Sequence, residues 1–436
     1  MTTIRSRRVV LPGEERPATL RLEDGLIVEV GSGTADLDFG DHAILPGLVD
    51  SHVHVNEPGR TDWEGYATAT AAAVAGGTTT IVDMPLNSIP PTVDVAALLA
   101  KRAATDGKLA ADVAFWGGVV PGSLHHAPEL VEEGVCGFKV FMTESGVPEF
   151  PPIPADGFDA VVAELALLEV PLLVHAEDPI ELRDPVGDRR RYATYLGSRP
   201  GVAEALAIRQ VVRSVATSGG SAHVLHVAGA EAVDALRAGP DDGSVTSETC
   251  PHYLTFIAEE IPEGATTFKC APPIRNREDR EALWEGLRDG TVGMVVSDHS
   301  PAPPDLKDVG GGDFITAWGG IASVELRLQA TWTGAQLRGF DLPDVVSWLA
   351  SAPADLAGLD RTKGGIRVGA DADLVVFDPD GVTHVDGSRL RQRHPHTPYD
   401  GMRLRGRLAA TFLGGTQVEG RGAVAGRHGK LLRRGV

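Results

Sequence analysis

The chain has 436 residues, a length that suits two or three domains or one large barrel with a smaller companion. Its 40 Lys and Arg residues stand against 60 Asp and Glu residues, a formal net charge of -20, which argues against nucleic acids and anionic membrane surfaces as partners. A hydrophobic content of 42% excludes a mostly disordered chain.

The cysteines and the chain's beginning predict a cytoplasmic protein. Cys136, Cys250 and Cys270 are far apart and form no CxxC pair, which indicates a reducing compartment rather than a disulfide framework. The N-terminal stretch lacks the apolar segment of a secretory leader, and no later apolar run approaches the roughly 18 residues that a membrane helix needs.

Apolar runs alternate with helical patterns along the middle of the chain. Several of the runs are near-continuous rather than alternating, which is typical of parallel strands covered by helices. The predicted strands are 43–49, 78–84, 113–119, 137–142, 171–175, 222–227, 244–249 and 293–297. The predicted helices are 64–75, 93–105, 156–168, 201–216, 231–238 and 277–288. Eight strands, each followed by a helix or a long loop, predict an α/β fold with a (β/α)8 TIM barrel.

A doubly wound open sheet is the alternative architecture. Such a sheet normally carries a glycine-rich phosphate turn, and neither GxGxxG nor GxxxxGK[ST] occurs in the chain. Both ends of the chain contain only short β-like pieces, each too small to be stable alone. We therefore expect a small β-sandwich domain built from both termini, with 1–47 and 363–436 as its two parts and 48–362 as the barrel.

The first candidate site is the sequence DSHVH at 50–54, at the end of the first predicted barrel strand. Residues i and i+2 of a strand point to the same face, so His52 and His54 present two imidazoles side by side. The carboxyl ends of barrel strands form the catalytic rim, and paired neutral imidazoles suit a divalent metal, zinc above all. The alternative is a pair of ordinary polar residues at a strand end.

Three more candidate ligands end predicted strands in the same way. His175 ends the fifth strand, His226 ends the sixth and Asp298 ends the eighth. A single histidine after an apolar run is more often a hydrogen-bonded core residue than a ligand. Recurrence at equivalent rim positions favours a shared metal centre.

Lys139 lies within the apolar strand FKVF at 138–141. Burial disfavours the charged ammonium and therefore favours the free amine. A neutral amine reacts with carbon dioxide to give a carbamate, whose two oxygens can bridge two cations. The alternative, that the lysine reaches solvent or pairs with an acid, is equally compatible with the spacing.

Together these residues and their neighbours resemble the amidohydrolase superfamily, in its cyclic-amidase branch of hydantoinases and dihydroorotases. The resemblance covers nearly the whole chain, and the order of the motifs makes it specific. The motifs are HVHVNEPGRTDWEG at 52–65, GGTTTIVDMPLNSIPPT at 76–92, GFKVFM at 137–142, HAE at 175–177, ETCPHYL at 248–254, KCAPPIR at 269–275, SDHSPAPP at 297–304, WGGI at 318–321 and KGGIRVGADADLVVFD at 363–378.

The resemblance implies a binuclear zinc enzyme, with cobalt or manganese as possible substitutes. One metal would be held by His52, His54, carbamylated Lys139 (N6-carboxylysine) and Asp298. The other would be held by Lys139, His175 and His226. A bridging hydroxide would attack a ring amide carbonyl, and Asp298 would act as general acid and base. The resemblance also implies, loosely, a homotetramer or homodimer.

Asn56 and Ser145 bear on the choice of substrate. Dihydroorotases typically have arginine where this chain has Asn56, and that arginine meets the substrate carboxylate. Hydantoinases and dihydropyrimidinases usually have a tyrosine shortly after the modified lysine, where Ser145 lies in this chain. Hydrolysis of the neutral ureide allantoin to allantoate is therefore the expected reaction. The alternatives are another cyclic amidase, hydantoinase-like or less plausibly a dihydroorotase, and a non-catalytic scaffold relative.

Four further residues are candidate substrate contacts. Asn87 is a possible hydrogen-bond partner or equally a turn residue, and Trp318 is a possible wall of the pocket or an ordinary packed tryptophan. Cys270 and Pro272 are expected to shape the pocket through backbone groups.

Overall fold

The computed structural model describes residues 1–308, 311–420 and 429–435. Its strands are β1 (Thr2–Leu11), β2 (Glu14–Glu23), β3 (Leu26–Gly31), β4 (Leu37–Asp38), β5 (Ala43–Pro46), β6 (Leu48–Val53), β7 (Thr78–Asp83), β8 (Asp112–Phe115), β9 (Gly117–Gly118), β10 (Phe138–Phe141), β11 (Leu172–His175), β12 (Ala222–Val224), β13 (Val245–Thr249), β14 (Met294–Val295), β15 (Leu374–His384), β16 (Arg403–Leu413) and β17 (Thr416–Gly420).

The α-helices cover the parallel strands and connect them. They are α1 (Tyr66–Ala75), α2 (Val95–Ala104), α3 (Ala127–Glu132), α4 (Ala155–Leu167), α5 (Tyr192–Ser198), α6 (Gly201–Ser218), α7 (Ala230–Arg237), α8 (Pro251–Thr255), α9 (Arg277–Asp289), α10 (Pro304–Lys307), α11 (Arg327–Leu337), α12 (Leu342–Val346) and α13 (Ala352–Leu356). Within the described ranges, none of the helices is both long and apolar enough to cross a membrane.

The barrel consists of two parallel sheets that meet at both of their edges. One sheet has the order β6-β7-β8 and the other has the order β9-β10-β11-β12-β13-β14. A parallel bridge between Val53 and His299 joins β6 to the chain just after β14, and only Trp116 separates β8 from β9. The predicted (β/α)8 barrel is confirmed, and its carboxyl-terminal rim holds the candidate metal ligands.

Both termini form one mixed sheet beside the barrel, in the order β17-β16-β15-β5-β1-β2-β3, with β4 paired to β1. Apolar side chains from both ends of the chain share one buried cluster, which includes Ile4, Leu20, Val376 and Phe412. The expected small β-domain from both termini is thus present. The domain boundaries at 47/48 and 362/363 stay predictions.

The prediction of a single strand at 43–49 is wrong. The chain changes sheets at Gly47: Ala43–Pro46 pairs with β15 of the terminal sheet, while Leu48–Val53 pairs with β7 of the barrel. A Cβ atom at position 47 would lie 2.2 Å from Oγ1 of Thr79 and 2.7 Å from Cβ of Asp373. The crossing from sheet to barrel therefore requires glycine at this position.

Two predicted barrel strands are also shorter than expected. The run at 222–227 leaves the ladder after Val224, and the run at 293–297 is a strand only over Met294–Val295. The candidate ligands beyond them, His226 and Asp298, have φ angles of 39° and 43°. Such left-handed conformations turn the chain at the rim and cannot continue a strand.

Candidate metal centre

The HxH pair lies at the rim end of β6. His52 and His54 are buried, and burial, followed by the nearby Lys139 ammonium, holds the pKa of both imidazoles well below its usual range. Neutral imidazole is the form that binds metals. Oδ1 of Asp298 lies 3.2 Å from Nε2 of His52 and 3.6 Å from Nε2 of His54. These three side chains offer ligand atoms within 4.8 Å of one another.

A second pair of imidazoles lies beside the first. Nδ1 of His175 and Nε2 of His226 are 3.0 Å apart, and the rings of His52 and His226 have centroids 5.5 Å apart. Nδ1 of His226 is buried and has no hydrogen-bond partner among the described residues. The two strand-end histidines thus face each other next to the HxH pair.

Lys139 lies close to both groups of histidines, on β10. Its side chain is 1% exposed, and its Nζ lies 3.4 Å from Nε2 of His52. Burial lowers the pKa of Lys139 to about 8, although the carboxylates of Asp298 and Glu248 oppose that change. The lowered pKa increases the fraction of free amine near neutral pH relative to an exposed lysine, and the free amine is the form that reacts with carbon dioxide.

Asp298 is the carboxylate shared by the HxH pair. It follows β14 and is buried, and burial raises its pKa to about 7 in spite of the neighbouring Lys139 ammonium. All six ligands expected from the sequence, His52, His54, Lys139, His175, His226 and Asp298, are thus located at one end of the barrel.

The donor set fits divalent metal ions. Zinc binds imidazole nitrogen and carboxylate oxygen at about 2.0–2.2 Å, so two ligand atoms on one tetrahedral ion lie roughly 3.3 Å apart. The spacings of 3.2 Å between His52 and Asp298 and of 3.0 Å between His175 and His226 are of that size. The lowered pKa values of the buried histidines, which favour neutral imidazole, agree with the same chemistry.

A second acidic cluster binds a lysine ammonium in the place where a metal ion could otherwise lie. Oδ2 atoms of Asp112, Asp371 and Asp373 lie 2.5, 2.7 and 2.6 Å from Nζ of Lys363. The ammonium occupies the space between the carboxylates, and the cluster connects the barrel to the terminal sheet.

Two buried glutamates orient the histidines and were missed by sequence reasoning. Oε1 of Glu248 lies 2.5 Å from Nδ1 of His52, and Oε2 of Glu177 lies 2.8 Å from Nε2 of His175. Burial would raise the pKa of Glu177, but the Arg199 guanidinium and the His175 imidazole lower it well below its usual range. Both glutamates lie within motifs already recognised, HAE and ETCPHYL. The spacing of residues within those motifs does not indicate which histidine each glutamate contacts.

A cavity of about 440 Å³ opens onto the metal ligands. Of the predicted substrate contacts, Asn87, Ser145 and Trp318 line it. Nδ2 of Asn87 lies 3.4 Å from Nδ1 of His54. The Ser145 hydroxyl donates to the carbonyl of Phe150 at 2.6 Å, so its proton is engaged within its own loop.

The other three predicted contacts are buried beside the cavity and are not part of its lining. Nδ2 of Asn56 donates to the carbonyl of Pro301 at 3.4 Å, and its Oδ1 has no partner in the described residues. Cys270 and Pro272 meet tyrosine hydroxyls through their carbonyls, at 2.7 Å each. Burial raises the pKa of the Cys270 thiol to about 12, which disfavours a nucleophilic thiolate.

The cavity wall also contains residues that the sequence did not single out. Lys269, Arg199 and Tyr195 line it, as do all six residues of 315–320. The Lys269 ammonium lies 5.0 Å from the Tyr195 ring centroid and donates to the carbonyl of Ala317 at 2.6 Å. Within this segment the sequence had indicated Trp318, with Gly319 and Gly320 of the WGGI motif, as a possible wall, whereas 315–317 were not singled out.

The barrel and its rim of histidines, lysine and aspartate define a metal-dependent hydrolase scaffold. The sequence profile of the Amidohydrolase family matches residues 43–418, and the chain belongs to this family. It is a cyclic amidohydrolase, as the predicted resemblance indicated.

Comparison with individual relatives narrows the class of enzyme further. The chain is 46% identical over 405 residues to an allantoinase of Streptomyces avermitilis, covering 91% of this chain and 90% of the relative. It is 42% identical to an allantoinase of Saccharomyces cerevisiae, covering 92% and 91%. Among solved structures, an L-hydantoinase (dihydropyrimidinase) from Arthrobacter aurescens has a TM-score of 0.92 at 29% identity and covers 100% of both chains.

Proposed function

We propose that this protein hydrolyses the cyclic amide bond of allantoin to give allantoate. The observation that carries the proposal is the convergence of four histidines, a lysine and an aspartate beside one cavity, which all of them except His52 line. Similarity to allantoinases over about nine tenths of the chain supports the choice of substrate.

The proposed cofactor is a pair of zinc ions, or cobalt or manganese in their place. His52, His54, Asp298 and a carbamate on Lys139 would hold one ion, and the carbamate, His175 and His226 would hold the other. In forming the carbamate, the free amine of Lys139 attacks carbon dioxide and loses one proton. When bound, such ions lower the pKa of water and polarise a carbonyl group.

The chain's own residues supply positioning and proton transfer. Glu248 and Glu177 hold the rings of His52 and His175 in place through hydrogen bonds. We assign to Asp298 the role of general base and then general acid. It accepts a proton from the attacking water and then donates that proton to the leaving ring nitrogen. The carbon–nitrogen bond breaks, and the carbonyl carbon becomes a carboxylate.

The substrate assignment also draws on Asn56, which stands where dihydroorotases carry arginine. An amide cannot neutralise a substrate carboxylate, so a neutral ring is favoured. The runner-up is a hydantoinase-type activity, which the structural similarity to an L-hydantoinase favours. We also propose a homo-oligomer, a tetramer or a dimer, which light scattering coupled to size-exclusion chromatography tests.

The test compares turnover of allantoin, hydantoin, dihydrouracil and dihydroorotate by the metal-loaded protein. We expect allantoin to have the highest kcat/KM, at least about 100-fold above dihydroorotate, because this chain has Asn56 in place of the arginine that pairs with the dihydroorotate carboxylate. Asp298→Asn serves as the inactive control. Equal turnover of hydantoin and allantoin would contradict the substrate assignment.

A further inference from the structure

Lys307 is a buried cation beside the cavity that the proposed chemistry does not use. It ends the short helix α10, is 6% exposed and is not part of the cavity lining. Its Nζ donates to the carbonyl oxygens of Lys269 at 3.2 Å and of Trp318 at 3.0 Å, and also to that of Gly320. Its recorded partners among the described residues are carbonyl groups, and none is a carboxylate.

All three acceptors belong to the wall of the cavity. Lys269, Trp318 and Gly320 each line it. Protonated Lys307 has three N–H donors, one for each of these carbonyls, which belong to two neighbouring wall segments. Burial lowers the pKa of Lys307 to about 7, so near neutral pH part of it is the amine with two donors. Loss of the donor would leave the carbonyls of Trp318 and Gly320 without a hydrogen-bond donor among the described residues, whereas the Lys269 carbonyl keeps the N–H of Gly320.

The contact also fixes the orientation of a peptide group that faces the cavity. The only cis peptide bonds in the described residues precede proline, so the bond between Trp318 and Gly319 is trans. In a trans peptide the carbonyl and the N–H point in opposite directions. Since the Trp318 carbonyl points to Lys307, the N–H of Gly319 points away from it, and Gly319 lines the cavity.

Backbone hydrogen bonds complete the connection between α10 and the wall. The N–H of Trp318 donates to the carbonyl of Leu306 at 2.7 Å, and that of Gly320 donates to the carbonyl of Lys269 at 2.8 Å. The Trp318 ring packs edge-on against Trp63, with centroids 4.7 Å apart. Lys307 thus lies where the segment 318–320, the segment at 269 and α10 meet.

We propose that Lys307 is a positioning residue, which holds the segment 318–320 in the shape that binds the cyclic amide substrate. It acts through Trp318 and Gly320 and touches no reacting atom. The proposal deepens the proposed function and rests on it for the identity of the ring substrate. A wall that contacts the substrate equally before and during reaction affects KM and leaves kcat nearly unchanged.

The test replaces Lys307 with methionine, which has an unbranched side chain of similar length and no N–H donors. In K307M we expect KM for allantoin to rise about tenfold or more and kcat to stay within about threefold of the original. Hydrogen exchange followed by mass spectrometry should show faster exchange in peptides that contain 318–320. K307Q, which keeps two N–H donors on a shorter side chain, should shift both quantities less, and it is read instead if K307M does not fold.

Asp341→Ala is the matched control for a general loss of stability. Asp341 caps α12 through the backbone N–H of Asp344 at 3.1 Å and is not part of the cavity lining. It should lower the melting temperature without changing KM or the exchange of 318–320. An unchanged KM in K307M, a loss confined to kcat, or unchanged exchange of the segment would each overturn the proposal.

Failure of the proposed function is separately visible. If the unmodified protein does not hydrolyse allantoin, the substrate assignment fails. The role of Lys307 is then decided by KM for whichever cyclic amide is hydrolysed and by the exchange of 318–320, which needs no substrate.

Discussion

Glu248 contacts His52 through a hydrogen bond of 2.5 Å between its Oε1 and Nδ1 of the imidazole. Its second oxygen lies 3.1 Å from Nε2 of His223, so the carboxylate is fixed from two sides. This contact leaves Nε2 of His52 free to face Asp298 and Lys139. A carboxylate that is hydrogen-bonded to the ring nitrogen opposite the metal-binding nitrogen sets the tautomer of the histidine and the orientation of its ring.

Glu248→Gln should therefore weaken metal binding and activity. Loss of such a supporting carboxylate typically costs about 10- to 100-fold in metal affinity or turnover. Zinc content after dialysis against a chelator series, together with kcat/KM, measures the effect. Glu129→Gln, at a side chain 68% exposed, is the control and should behave as the original. Full metal retention in the Glu248 variant would contradict the proposed arrangement.

Lys139→Ala should abolish most activity, because the proposed carbamate is the one protein side chain that would be shared by both metal ions. Several kcal/mol of transition-state stabilisation corresponds to a loss of about 10³-fold or more in kcat. Acetate or propionate at millimolar concentration should restore part of the activity by supplying a carboxylate in the vacated space. The same acids added to the unmodified protein are the control, and should give no gain. Full activity in the variant without added acid would remove Lys139 from the mechanism.

Parts of the fold could be predicted from the sequence because they depend on local patterns. The predicted strands at 78–84 and 171–175 match β7 and β11 closely, because their β-branched and apolar residues favour buried strands. The sheet change at Gly47 could not be predicted in the same way. It depends on the crowding of Thr79 and Asp373, which lie about 30 and 330 residues further along the chain.

The same division holds for the site. The side-by-side position of His52 and His54 follows from strand geometry, so i and i+2 spacing was enough to single them out. Glu248 and Lys307 act through partners that only the folded barrel brings close. Glu248 lies 196 residues from His52 in the sequence, and Lys307 lies 38 residues from Lys269. A single sequence shows no such pairing, and nothing local distinguishes these side chains from ordinary charged residues.

Lys363→Met should strongly destabilise the protein. Lys363 forms ion pairs with three carboxylates, those of Asp112, Asp371 and Asp373, at the joint between barrel and terminal sheet. Removing one partner of a buried ionic group typically costs about 3–5 kcal/mol in the free energy of unfolding. Urea denaturation measures the change.

Lys430→Met offers a matched comparison within the same cluster. Its Nζ lies 3.2 Å from Oδ2 of Asp371, but the side chain is 58% exposed. An exposed ion pair contributes about 0–1 kcal/mol, so this variant should change stability little. Equal losses in the two variants would show that burial of the Lys363 ammonium is not what stabilises the joint.

The free energy of unfolding should also depend on pH through the titration of Glu325. Burial raises the pKa of Glu325 to about 7, although the backbone N–H of Arg391, which donates to its Oε2 at 2.7 Å, opposes the shift. The folded state therefore retains a proton between about pH 4.5 and 7 that the unfolded chain has released. Because the folded state binds more protons there, the free energy of unfolding decreases as the pH rises through this window, by on the order of 2–3 kcal/mol from this group.

Glu325→Gln removes that titration and should flatten the stability profile between pH 5 and 7. Denaturation at several pH values, with zinc and ionic strength held constant, gives the slope for each protein. Glu285→Gln, at a side chain 62% exposed, should keep the original slope. If the Glu325 variant kept it as well, the proton would have to reside on another buried carboxyl group, and Glu325 would be ionised in the folded state throughout the range.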